Sequence, residues 1–180
     1  MLLDARHSVL FIVDIQMRLA PAIADADAVI ARTVILLTAA ARLDVPIVVS
    51  EQYPQGLGPT DARLLPLPES AVIMPKTSFS ALGDDGIRAH LADLGRRQIV
   101  LAGMETHVCV LQTALASKAH GYEVAVAADA VGSRHPERKQ RGLERMRDAG
   151  IAIVDSEMVV FEWLADAGSP AFKELSRLIR

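Results

Sequence analysis

The sequence predicts an α/β fold of three layers, with helices on both faces of a six-stranded parallel sheet in the order 3-2-1-4-5-6. Three observations predict it. Six short apolar runs recur along the chain, stretches with helical spacing separate them, and glycines stand where helices give way to strands. Unbroken apolar runs of this length suit strands covered on both faces, and strand–helix alternation feeds a parallel sheet. A chain of 180 residues, 51% apolar, supplies one sizeable core, so residues 1–180 are expected to form a single domain.

The elements follow in order. Val9–Val13 forms the first apolar run and is stopped by Asp14. Val29, Thr33, Leu36, Leu37, Ala40 and Leu43 recur at three and four, the spacing of one helix face. Ile47–Val49 is the second run. The stretch 51–70 carries prolines at 54, 59, 66 and 68 and glycines at 56 and 58, so it is expected to be irregular, either a functional loop or a surface excursion. Ala71–Met74 is the third run; Ile87, Leu91 and Leu94 then mark a helix that Gly95 ends. Ile99–Ala102 precedes a helix through Val110, Leu111, Ala114 and Leu115, ended by Gly121. Val124–Ala128 is the fifth run. Pro136 suits a helix start, Leu143 and Met146 give that helix an apolar side, and Gly150 ends it before Ile151–Val154. The tail from Phe161 to Arg180 reads as two short helices broken by Gly168-Ser169-Pro170. Its Leu164, Phe172, Leu175, Leu178 and Ile179 are the expected docking side chains of a homo-oligomer, a dimer or higher.

Composition excludes several classes of function. A net charge of −3 gives no overall basic character for nucleic acid, and 4% aromatic residues leave little for base stacking. The run Arg134–Arg147 mixes both signs along a helix and reads as a solvated face. One cysteine rules out an internal disulfide framework, and no signal peptide or membrane span is written near the start, so a cytoplasmic protein is expected. Gly56-Leu57-Gly58 fails as a dinucleotide fingerprint because Asp61 stands in place of the third glycine. The five histidines form no ligand pair, so neither metal nor cofactor is expected.

The informative residue is Cys109, in Gly103-Met104-Glu105-Thr106-His107-Val108-Cys109. Thr106 suits an N-cap, which would set Cys109 at the third helical position, where the helix dipole favours thiolate. Taken alone, a single cysteine is more often an inert buried residue. Two further residues bear on it. Asp14 closes an apolar strand, where a charge is costly unless paired or put to use. Lys76 follows the third run. With the expected strand order, strands one and four meet at the topological switch point, so Asp14 and the Cys109 turn lie side by side. Lys76 starts two strands away, so its loop would have to fold back.

Val13-Asp14-Ile15-Gln16, Pro75-Lys76-Thr77 with Phe79 and Ser80, Gly103 to Val110, Gly121-Tyr122-Glu123-Val124 and Ala128-Asp129-Ala130-Val131 together resemble the isochorismatase-like cysteine hydrolases. Glu51-Gln52-Tyr53-Pro54 and Gly56-Leu57-Gly58-Pro59-Thr60 resemble most the branch of isochorismatase domain-containing proteins. The resemblance implies a six-stranded parallel sheet and a catalytic triad on Asp14, Lys76 and Cys109. It also implies a cis peptide bond between Met104 and Glu105 and an oxyanion hole from the backbone N–H groups of Glu105 and Cys109. Gln16, Leu19, Tyr53, Phe79, Thr106 and His107 are expected to line the substrate pocket. The nicotinamidase branch holds a metal through residues after the second strand. Here that stretch, Ser50-Glu51-Gln52-Tyr53-Pro54, has no histidine, so the site is expected to be metal-free.

The expected activity is therefore hydrolysis of an amide or other C–N bond in a small molecule through a thioester on Cys109, with Lys76 lowering the thiol pKa by its charge. Two rivals stand beside it: a redox-responsive thiol protein, and a non-catalytic binding protein that keeps the fold.

Overall fold

The computed structural model describes residues 1–179. The first strand, β1 (Ser8–Val13), is buried along its whole length. Its alternate side chains serve two cores: Leu10 and Ile12 face one side of the sheet, while Val9, Phe11 and Val13 face the other. Both faces are thus covered, which is why the strand is a continuous apolar run rather than an alternating one.

Five more strands join it: β2 (Ile47–Gln52), β3 (Ala71–Lys76), β4 (Gln98–Met104), β5 (Glu123–Gly132) and β6 (Ala152–Val154). The sheet order is β3-β2-β1-β4-β5-β6, with every pairing parallel. Helices α1 (Ala26–Arg42), α2 (Pro54–Leu57), α3 (Asp85–Asp93), α4 (Leu111–Ala119), α5 (Pro136–Asp148), α6 (Ser156–Leu164) and α7 (Phe172–Leu175) fill the connections. The core on one face takes Val29, Leu36 and Ala40 of α1 with Val160 and Trp163 of α6. The core on the other takes Ile87 and Leu91 of α3, Ala114 of α4 and Met146 of α5. This is the three-layer arrangement with the expected strand order.

Three local expectations are corrected. The third run was expected to be covered on both faces, yet Val72 and Ile73 are 40% and 44% exposed. β3 ends the sheet, so nothing pairs beyond it. The stretch 51–70 is more regular than its prolines suggest. It holds α2 and a short 3-10 turn, Ala62–Leu64, which Asp61 caps by accepting from the Arg63 N–H. Residue 60 also bridges antiparallel to residue 16. In the tail, Leu164 and Leu175 are buried, and Phe172 and Ile179 pack against the α1–α6 core. Four of the five expected docking side chains therefore serve this chain's own interior. Leu178 alone of them stays exposed, and Arg180 lies outside the described residues.

One glycine brings the central strands together where it matters. Gly103 pairs with Val13, the residue before Asp14, and has φ of +127°. A Cβ there would lie 2.0 Å from the Val13 carbonyl oxygen, so only glycine lets β4 approach β1 at this point.

Candidate active site

At the carboxyl ends of β1, β2 and β3 a polar network closes over itself. Asp14 leaves β1 with φ of +53°, a left-handed conformation that aspartate tolerates better than most side chains. Its carboxylate is fully buried and uses both oxygens. Oδ1 accepts from the Ser50 hydroxyl at 2.7 Å, and Oδ2 accepts from Lys76 Nζ at 2.7 Å. Neither the Asp14 nor the Lys76 side chain has any exposure.

Lys76 reaches this place without the back-folded loop the sequence suggested. It is the last residue of β3, opposite Gln52 in β2, and its flexible stem crosses one strand to reach Asp14. Nζ also donates to Gln52 Oε1 at 2.6 Å and to the carbonyls of Ser78 at 3.3 Å and Phe79 at 3.5 Å. A buried ammonium with this set of acceptors is compensated on every side.

Cys109 comes from the neighbouring strand. After β4 the Met104–Glu105 peptide is cis, and residues Thr106–Val110 form a widened turn that runs into α4. The Val110 N–H donates to the Glu105 carbonyl at 3.2 Å, the five-residue reach of a π-turn. Thr106 is not the cap that the sequence suggested. Glu105 holds the capping position, and the Thr106 hydroxyl is buried with no protein partner among the described residues. Cys109 is the fourth residue of the turn and 7% exposed.

The electrostatics overturn one expectation and sharpen another. Burial first, and the Asp14 carboxylate second, push the Cys109 thiol up to about 12 against the opposing pull of the Lys76 charge. Dipole and lysine therefore do not yield a resting thiolate, because desolvation outweighs them. Asp14 is likewise held above the usual carboxylate range by burial, against the pull of Lys76, Ser50 and Cys109. At rest, a buried thiol and a buried carboxylate lie near enough that each shifts the other's ionisation.

The expected pocket residues divide. Tyr53 and Phe79 flank Lys76, the Tyr53 N–H donating to the Lys76 carbonyl at 2.8 Å, and both are 56% exposed. His107 is half-buried, with Nδ1 3.0 Å from the Ser133 hydroxyl. Gln16 and Thr106 are fully buried, and Leu19 is half-buried. The Gln16 amide donates to the carbonyls of Gln52 and Gly58 and accepts the Gln52 N–H, so it ties down the strap that follows β2. Leu19 packs against the α1 side of the core, and Thr106 has no exposed surface. Concavities of about 600 and 500 Å³, beside Asp25 and Arg63 and beside Lys118 and Tyr122, do not touch the three central residues.

Sequence reasoning missed Ser50, Gln52, Ser133 and Arg134. Ser50 and Gln52 are polar residues closing an apolar strand, the same signal that marked Asp14. Arg134 pairs through Nε with Glu105 at 2.9 Å. Among the described residues no group of three or more His, Cys, Asp or Glu side chains is arranged to hold a metal ion. None of the described helices is long and apolar enough to cross a membrane.

Residues 8–158 match the isochorismatase domain family. Isochorismatase domain-containing protein 1 of zebrafish (Danio rerio) is 42% identical over 179 residues; the match covers 99% of this chain and 62% of that protein, so the chain spans about three fifths of its relative's length. Isochorismatase domain-containing protein 2 of Xenopus laevis is 37% identical over 178 residues, 98% of this chain and 85% of that protein. Among solved structures, the MAR1 ribonuclease of Caenorhabditis elegans superposes with a TM-score of 0.94 at 33% identity, covering 99% of this chain and 92% of that one.

Proposed function

Given that the chain belongs to the isochorismatase family, we propose that it is a cysteine-dependent hydrolase that opens an amide or related C–N bond of a small molecule through a thioester on Cys109. The observation that carries this reading is the fully buried Asp14 carboxylate, fixed by Lys76 and Ser50 at 2.7 Å each, with the buried Cys109 close enough for the two groups to shift each other's ionisation.

As the sulfur attacks the carbonyl carbon, Asp14 takes the S–H proton. The carbonyl oxygen gains charge and is met by the N–H groups of Glu105 and Cys109, a kind of contact worth roughly 3 kcal/mol per donor in other enzymes. The C–N bond breaks and the amine leaves with the proton held by Asp14. Water then attacks the thioester with Asp14 as base, which releases the acid and restores the thiol. A thiol that stays protonated until attack spares the site a buried, unpaired thiolate. Lys76 favours the ionised, basic carboxylate and so opposes the burial that raises the Asp14 pKa. No step needs a metal.

The redox reading is the weaker one, since a sensor thiol wants a low pKa and Cys109 is pushed up to about 12. The small-molecule reading is preferred to an RNA substrate, despite the name of the nematode relative, because the chain has a net charge of −3 and 4% aromatic residues. A reducing, cytoplasmic setting suits a chain whose one cysteine is free. Assembly into a homo-oligomer belongs to the same reading and draws support from the exposed apolar Val72, Ile73, Tyr53 and Phe79; sedimentation at micromolar concentration tests it.

The deciding experiment is turnover of a panel of amides, carbamoyl compounds and esters by the wild type beside Cys109→Ala. The variant is expected to lose all measurable turnover while keeping its fold, with an acyl adduct detectable by intact mass in the wild type alone. Retention of more than about a tenth of the rate would overturn the assignment, since tenfold is only about 1.4 kcal/mol.

A further inference from the structure

The run Arg134–Arg147 reads from sequence as a solvated, mixed-sign face, but its charges are uneven. It carries six Arg or Lys against two Glu, in a chain whose net charge is −3. The fold places its leading end at the candidate site. β4 and β5 are parallel neighbours, with Met104 opposite Gly132 in register. The segment 133–135 therefore runs beside 105–107. α5 then packs on the nucleophile turn, closely enough that a Cβ on Gly142 would lie 3.1 Å from the His107 Cα.

The contacts bear this out residue by residue. Ser133 bonds His107 at 3.0 Å, and Arg134 bonds the Glu105 carboxylate through Nε at 2.9 Å and through its N–H at 3.3 Å. Glu105 follows the cis bond that opens the nucleophile turn. The Arg134 side chain is 49% exposed and Glu105 only 12%. Among the described residues both terminal nitrogens of Arg134 lack a protein partner, and Arg138 makes no side-chain hydrogen bond or ion pair. Glu137 is the one acid in the first turn of α5, and it is exposed. Burial and the charges of Arg138, Arg134 and His135 hold His107 below its usual range, against Glu105, as a cationic surface would. The N-terminal end of α5, a 13-residue helix, adds its dipole to the same side.

We infer that the small molecule opened by Cys109 carries a carboxylate or similar anionic group, and that Arg134 and Arg138 hold it on a wall formed by the start of α5. Arg134 suits the role because Glu105 fixes its Nε while its planar fork keeps two donors for a bidentate anion. In the sheet β5 and β1 flank β4 on opposite sides, so the segment that follows β5 and the Asp14 end of β1 lie on either side of the turn that follows β4. The inference rests on Cys109 being the nucleophile, and the test separates the two.

Native protein is alkylated at fixed pH with iodoacetamide, which is neutral, and with iodoacetate, which is anionic, and the ratio of the two rates at Cys109 is taken. The ratio cancels any change in thiol ionisation caused by a substitution. In Arg134→Gln and Arg138→Gln the iodoacetate-to-iodoacetamide ratio is expected to fall by about threefold or more, and high salt is expected to lower the wild-type ratio similarly. Malonate is expected to slow wild-type labelling. A ratio unchanged by both substitutions and by salt overturns the anion wall while leaving the nucleophile assignment standing. If neither reagent labels native Cys109 although both label unfolded protein, the nucleophile reading fails and this inference falls with it. Protection by an oligoribonucleotide but not by malonate overturns it in favour of nucleic acid.

Discussion

The two halves of the sheet end differently. Where β1, β2 and β3 stop, Asp14, Ser50, Gln52 and Lys76 form a closed network with bonds of 2.6–2.7 Å, and the ion pair at its centre has no exposure. Where β4 and β5 stop, Glu105, His107, Ser133 and Arg134 form a looser set with Arg134 half exposed. A buried pair depends on both partners, because removing one strands the other in a medium that cannot solvate it. An exposed pair gives up little, since water replaces either partner. One half can therefore hold a proton acceptor at a fixed place. The other can present charge to something that arrives from solvent.

The sharpest way to break this comparison is to remove one cation from each half. Lys76→Met is expected to destabilise the fold by about 3–5 kcal/mol at neutral pH, read as a shift in the urea midpoint. The pH dependence carries the sign. Burial already holds the Asp14 pKa above its unfolded value, and removal of Lys76 takes away the charge that lowers it. A group with a raised folded pKa favours folding at low pH and loses that contribution as pH rises through the folded value. Lys76→Met should therefore recover part of its stability when the pH is lowered from 8 toward 5. Adding Asp14→Asn, which tolerates the same positive φ, should leave the double variant more stable than the two single costs summed.

Asp14→Asn alone separates reactivity from catalysis. The Asp14 carboxylate raises the Cys109 pKa, while Lys76 lowers it. With the carboxylate gone and the ammonium kept, the thiol pKa should fall from about 12, so iodoacetamide labelling at pH 8 should quicken severalfold. Turnover should vanish all the same, because asparagine cannot take the proton. Slower labelling in this variant would mean that the Asp14 carboxylate does not hold the thiol pKa up.

The buried half also anchors the strap after β2. Gln16 makes three hydrogen bonds to Gln52 and Gly58, all from a fully buried amide. Gln16→Leu should leave those backbone groups without partners and cost about 1–3 kcal/mol. Proteolysis near Gly56 should become faster before global unfolding does.

The two halves were not equally legible in the sequence. Asp14, Lys76 and Cys109 stood out because each interrupts or follows an apolar run, and the strand order then placed Asp14 beside the Cys109 turn. Ser50 and Gln52 carry the same signal more weakly: a hydroxyl and an amide at a strand end are ordinary, and their partners Asp14, Lys76 and Gln16 lie 24 to 36 positions away in sequence. The thiol pKa was misjudged because a helix start is visible in sequence whereas desolvation is not. The Thr106 cap failed because the π-turn makes its bond from Val110 to Glu105, which no spacing rule for ordinary helices anticipates. The apolar tail was misassigned because periodicity cannot tell which apolar face meets the chain's own core and which meets another copy.

The smallest expected effect completes the comparison. Arg134→Gln removes one cation from the open half, as Lys76→Met does from the closed one. Its ion pair with Glu105 is short at 2.9 Å, but the arginine side chain is 49% exposed. Water can therefore solvate either partner left alone. The Arg134 backbone N–H still donates to Glu105 in the variant, at 3.3 Å in the native geometry, so the acid keeps part of its neutralisation. The expected loss is about 0.2–1 kcal/mol, shrinking further as salt is raised. A urea midpoint displaced as far as that of Lys76→Met would show that Glu105 needs its arginine to hold the nucleophile turn. The contrast between a closed half that fixes the chemistry and an open half that selects the ligand would then fail, because both would be supporting the same fold.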